Sequence, residues 1–119
     1  MPGISIHVVD VSRGAPARGM AVEVFRTGTD GTRRRVGGGR VGDGGLVQDV
    51  ATGRGDGIEP GTYEIELATG PWFRAEGLDV GTPAFQERIV YRFELVDPAA
   101  HLHLPFKLTP WGVSVWRGI

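Results

Sequence analysis

The stretch His101-Leu-His-Leu-Pro-Phe-Lys-Leu-Thr-Pro-Trp-Gly-Val-Ser-Val-Trp-Arg-Gly-Ile119 decides the fold class, because it alternates, turns and alternates again like a β-hairpin. It predicts two strands, about 101 to 108 and 112 to 117. Two of the chain's three histidines stand one residue apart in the first of them. Because side chains on a strand alternate between its faces, one imidazole is expected to face a shared site. The other, His101, is expected to face away as a structural residue, hydrogen-bonded outside that site.

The same alternation recurs toward the other end. Ile4, Ile6 and Val8 alternate with Ser5, His7 and Val9, a half-buried strand with His7 opposite the isoleucines. A turn-rich connection follows over 13–19. Residues 21–26 read as a second strand, with Val22 and Val24 on one face and Glu23 and Phe25 on the other. Thr29-Asp-Gly-Thr32 marks a hairpin turn into a third strand over 33–36. Between Gly37 and Gly61 the chain holds ten glycines. Only 46–50 is expected to pair there, and the rest reads as loop, which often borders binding sites.

Order returns at 62–67, where Tyr63, Ile65 and Leu67 alternate with Thr62, Glu64 and Glu66. Thr69 as N-cap and Pro71 predict one short helix over 68–75. Residues 87–96 form a strand with Ile89, Tyr91, Phe93 and Leu95 on one face, ended by Asp97-Pro98. Seven or eight short strands with alternating faces need a second sheet to cover them. The expectation is an all-β, two-sheet β-sandwich with one short helix, and residues 1–119 as a single domain.

Composition narrows the function. A formal charge of -1 gives no electrostatic reason to expect nucleic acid or a membrane surface. The absence of cysteine excludes disulfides and thiolate metal sites. No run approaches the roughly 20 apolar residues of a spanning helix. The N-terminal residues lack the basic start and apolar stretch of a signal peptide, so a cytoplasmic protein is expected.

His7, His101 and His103 are compatible with a metal site, an acid–base site, or simply satisfied histidines. The His-x-His spacing is a weak zinc signal, since no carboxylate stands in a motif beside it. No metal and no cofactor is expected. Arg40, Arg54 and the run Arg33-Arg34-Arg35 read most simply as solvated charge.

The tail also resembles the transthyretin-like 5-hydroxyisourate hydrolases, whose ending reads His-x-His-Val-Pro-Leu-Leu-Leu-Ser-Pro-aromatic-Gly-Tyr-Ser-Thr-Tyr-Arg-Gly-Ser. His101, His103, Pro105, Pro110, Gly112, Ser114, Arg117 and Gly118 match it. Ser5-Ile-His7-Val-Val-Asp10 is similar to the family's Ser-Thr-His-Val-Leu-Asp opening, and 14–19, 60–73 and 90–93 fit the segments between. The resemblance covers nearly the whole chain and implies a transthyretin-like (prealbumin-like) sandwich. It implies a homotetramer, a dimer of dimers with active sites in the channel between them. The implied reaction is hydrolysis of a small molecule, 5-hydroxyisourate, by water addition to a ring carbonyl and ring opening.

In that family the imidazoles matching His7 and His103 line the active site, with an arginine from an Asp-Gly-Arg turn and the terminal serine. An imidazole of ordinary pKa near 6.5 takes a proton from water and returns one at neutral pH. A guanidinium holds the anionic substrate and the developing oxyanion. Here Asp43-Gly44-Gly45 replaces Asp-Gly-Arg, Trp116 replaces the tyrosine and Ile119 the serine. The expected substrate-binding set is therefore Gly45, Trp116 and Ile119, with Arg40 and Arg54 as the nearby guanidinium groups. An indole and an isoleucine make this corner larger, drier and poorer in hydrogen bonds. Two other readings stay open: an enzyme on the same scaffold using His7 and His103 on a more apolar substrate, and a non-catalytic carrier of a hydrophobic ligand.

Overall fold

The computed structural model describes residues 3–51 and 59–118. Two sheets face each other. The first holds β1 (Gly3–Asp10), the two-residue β2 (Ala15–Pro16), β5 (Leu46–Ala51), β8 (His101–Thr109) and β9 (Gly112–Val115). The second runs in the order β4 (Arg33–Arg40), β3 (Ala21–Thr27), β6 (Gly61–Leu67), β7 (Ile89–Leu95). One helix, α1 (Thr69–Ala75), connects β6 toward β7. The two-sheet class stands, with nine strands among the described residues in place of seven or eight.

The alternation explains the packing. Ile4, Ile6 and Val8 of β1 and Leu104, Phe106 and Leu108 of β8 point inward and are buried. They meet Val22 and Val24 of β3, Ile65 and Leu67 of β6, and Ile89 and Leu95 of β7 in one core. Burying each such side chain stabilises the fold by roughly 1.5–3 kcal/mol. The pairing that places the site is parallel: β1 lies beside β8 with Ser5 opposite His103 and His7 opposite Pro105. Strands far apart in sequence thus bring their outward residues side by side.

Several local expectations change. The third strand does not stop at 36 but continues through Gly37, Gly38 and Gly39 to Arg40. Gly38 has φ +151°, and a Cβ there would stand 2.5 Å from the Val22 carbonyl oxygen. The strand needs bare backbone at this point, so the glycines are structural rather than loop. Thr69 is not the N-cap: Ala68 takes that position without a side-chain cap, and Thr69 Oγ1 donates to the Gln86 carbonyl at 2.8 Å. β7 starts at Ile89, not 87, because the Glu87 carboxylate is drawn to Arg74 and to the Ala84 N–H at 2.7 Å. β9 ends at Val115 rather than 117.

The Arg33–Arg35 run is an exposed strand as expected, although two of its guanidinium groups are paired. Arg33 stacks 3.7 Å from the centre of the Phe25 ring and reaches Glu64 and Glu66 at 3.5 and 3.6 Å. Arg35 lies 3.5 Å from Glu23. At the end of β1, Asp10 is fully buried and accepts hydrogen bonds from Arg13 Nε at 2.7 Å and from the Ser12 N–H at 3.0 Å. Burial alone would push its pKa up; the Ser12 and Arg13 hydrogen bonds outweigh it and hold the carboxyl below its usual range.

Candidate active site

Three rows of outward side chains cross the β1–β8–β9 sheet. Ser5 of β1 lies opposite His103 of β8, which forms a bridge with Gly118. His7 lies opposite Pro105. On the other side of β8 the pairings Phe106 with Val115 and His103 with Gly118 set Trp116 opposite Pro105. Val9 lies opposite Lys107, and Lys107 opposite Ser114. Successive outward rows are about 7 Å apart along a strand. His7 and His103 therefore occupy neighbouring rows of one surface.

Both imidazoles rest on glycines. Gly45, with φ +89°, closes the turn into β5 through its N–H to the Gly42 carbonyl. A Cβ on Gly45 would stand 2.8 Å from His7 Cδ2 and 3.1 Å from the Val8 carbonyl oxygen. His7 Nε2 donates to the Gly44 carbonyl at 3.2 Å, since a carbonyl only accepts. The neutral ring therefore carries its lone pair on Nδ1. A Cβ on Gly118 would likewise approach His103 Cδ2 to 3.0 Å, while the Gly118 N–H donates to the His103 carbonyl at 2.7 Å.

His101 and His103 do not diverge. Residues i and i+2 of a strand share a face, and both rings reach the same hydroxyl: Ser5 Oγ is 2.8 Å from His101 Nε2 and 2.8 Å from His103 Nδ1. The expectation that His101 bonds away from the site is overturned. One hydroxyl has one hydrogen, so at least one of these ring nitrogens donates to Ser5. Ser5 is itself buried, which fixes the junction. Burial lowers the pKa of His103, and the nearby His7 and His101 imidazoles lower it further by charge repulsion. Both effects favour the uncharged form of the His103 ring.

The other expected residues divide. Gly45 and Trp116 lie at the histidine surface, as described. Arg40 turns elsewhere, donating from Nη1 to the Gly19 carbonyl at 2.9 Å in the turn before β3. Arg54 and Ile119 lie outside the described residues. Two residues that sequence reasoning passed over belong to the surface: Ser5, which joins His101 to His103, and Lys107, whose ammonium lies 5.3 Å from the centre of the Trp116 ring. Their signal was the strand period itself, since Ser5 stands two residues from His7 and Lys107 four from His103.

The chain is similar over nearly its whole length to proteins named as hydrolases. It is 35% identical to "5-hydroxyisourate hydrolase 2" of Rhizobium meliloti (strain 1021), with 97% of this chain and 94% of that one covered. It is 30% identical to the 5-hydroxyisourate hydrolase of Ralstonia nicotianae, with 99% of each covered. Among solved structures, that of (S)-allantoin synthase superposes with a TM-score of 0.86 at 29% identity. The match covers 98% of this chain but spans only 43% of that longer one. The family model described as HIUase/Transthyretin matches residues 4–118, and with these relatives it shows that the chain belongs to the HIUase/Transthyretin family.

Proposed function

We propose that the protein hydrolyses 5-hydroxyisourate, with His7 and His103 moving the protons. The observation that carries this reading is the parallel β1–β8 register, which sets the two imidazoles in neighbouring rows of one outward surface in a chain of this family. His103, kept neutral by burial and by its imidazole neighbours, takes a proton from water as the oxygen adds to a ring carbonyl. Collapse of the tetrahedral adduct breaks the ring C–N bond, and an imidazolium returns the proton to the leaving nitrogen. Ser5 holds the His103 ring in place through Nδ1. The relatives described above carry the hydrolase name, which gives no support to a retuned enzyme or a carrier.

The same proposal includes a homotetramer, a dimer of dimers, that encloses the histidine surface, and residence in the cytoplasm. Leu46 and Trp116, 39% and 43% exposed on that surface, favour its being covered. No helix among the described residues is long and apolar enough to cross a membrane.

Freshly generated 5-hydroxyisourate, followed by its ultraviolet absorbance, tests the reaction. The protein should accelerate its decay, and His7→Ala or His103→Ala should each lower the rate by about a hundredfold or more. Decay no faster than in buffer would sink the reading. Light scattering of the purified protein tests the tetramer.

A further inference from the structure

Hydrolysis of a ring carbonyl develops negative charge on oxygen, and a cation beside it is worth much in rate. Residue 45 cannot provide one, because it is a glycine in the left-handed region with His7 filling the space where a side chain would start. Arg40 is held by the Gly19 carbonyl, and Arg18 lies 3.7 Å from Asp43, well exposed. Arg117 follows the register of Leu104 rather than that of His103 and, exposed, borders a cavity with Glu94 and Asp97. Lys107 is different: among the described residues it is the cation that strand register delivers to the histidine surface.

The geometry points to Lys107 as the residue that binds the substrate's anionic oxygen, with Trp116 setting its position. Lys107 stands one outward row from Pro105, and His103 one row to the other side. A small planar heterocycle lying on Pro105 would have His103 at one end, Lys107 at the other, His7 along one flank and the Trp116 indole along the opposite flank. About 7 Å separates each row from the next, which matches the span of one such ring system. Trp116 contributes twice. Its π-face attracts the ammonium, which lies 5.3 Å from the ring centre, and its breadth closes the flank opposite His7. The family tail quoted above has leucine where this chain has Lys107 and tyrosine where it has Trp116, so two departures touch one another.

This assignment rests on the hydrolase reading for the identity of the substrate, and the test separates the two. Turnover of 5-hydroxyisourate by the parent, Lys107→Met, Lys107→Arg and Trp116→Leu is measured at low and high salt. Calorimetric binding of urate, a planar anion of the same size, is measured in parallel. Lys107→Met should raise KM tenfold to a hundredfold, the loss expected for one charge-assisted hydrogen bond, and should abolish the salt dependence of KM. Lys107→Arg should recover most of the affinity, and Trp116→Leu should raise KM by less than Lys107→Met. Urate binding should weaken in the same order.

An active parent whose Lys107→Met variant keeps both KM and urate affinity overturns the Lys107 assignment and leaves the hydrolase reading intact. A parent that binds urate through Lys107 without turning over 5-hydroxyisourate overturns the reaction and supports the anion site. A parent that does neither overturns both.

Discussion

Gly45 and His7 touch with no room between them: a Cβ on residue 45 would lie 2.8 Å from His7 Cδ2 and 2.9 Å from Nε2. The glycine that replaces the family arginine is therefore also the seat of the His7 imidazole. An arginine cannot be restored there without moving the ring or the turn.

Gly45→Ala should lower stability by about 1–2 kcal/mol from the left-handed backbone alone, with a further loss from the displaced ring. Gly45→Arg should lower hydrolase activity rather than raise it. Thermal unfolding and 5-hydroxyisourate decay measure the two effects, and a faster Gly45→Arg enzyme would refute the steric account.

Ser5→Ala removes the hydroxyl shared by His101 and His103. With Nδ1 of His103 released, the ring loses its orientation, and kcat should fall by about tenfold to a hundredfold. KM should change little, because Ser5 lies beneath the rings. A Ser5→Ala enzyme whose KM rises while kcat holds would place the serine in substrate binding instead.

The proposed role of His103 as base, together with its lowered pKa, predicts the pH profile. The base form persists below the ordinary imidazole value of 6.5, so kcat/KM should be flat through neutrality and fall on an acidic limb below that value. His101→Gln removes one of the repelling imidazoles and should move this limb upward. Stability follows the same sign: the unfolded chain binds the proton first, so the contribution is complete above pH 6.5 and is lost as pH falls through the folded value. An acidic limb at or above 6.5 in the parent would contradict the geometry.

Glu87 tests the support of the helix. Its carboxylate receives Arg74 Nη2 at 2.7 Å and the Ala84 N–H, and Arg74 beside it lowers its pKa to about 2. The stabilisation it gives is present above the ordinary carboxylate range and is lost as pH falls toward 2. Glu87→Gln should unfold more readily at neutral pH and show a smaller loss of stability on acidification. Circular dichroism melts at pH 7 and pH 3 compare the two.

Much of this was legible in the chain. Ile4, Ile6 and Val8 and the alternating tail announced a sandwich, because a strand's hydrophobic period is local. The pairing of β1 with β8 was not legible from alternation alone, since it joins residues at the two ends of the chain. The glycine run at 37–39 read as loop because glycine favours loops in general, whereas Val22 demands bare backbone at Gly38 in particular. Counting faces along β8 by twos would have united His101, His103 and Lys107 on one side. Lys107 was passed over because a single lysine on a strand looks like solvated charge until its row neighbours are known.

The β1–β8 pairing also governs when a working surface can exist during synthesis. Ser5 and His101 are separated by 96 residues, so their contact waits for nearly the whole chain. Loop closure over that distance has little to reward it until the intervening strands are in place. A nascent chain carrying β1 holds His7 but has neither His103 nor the strand that would shield Ile4, Ile6 and Val8 from one side. Folding and competence should therefore arrive together, in one late step, with no half-made catalyst before it.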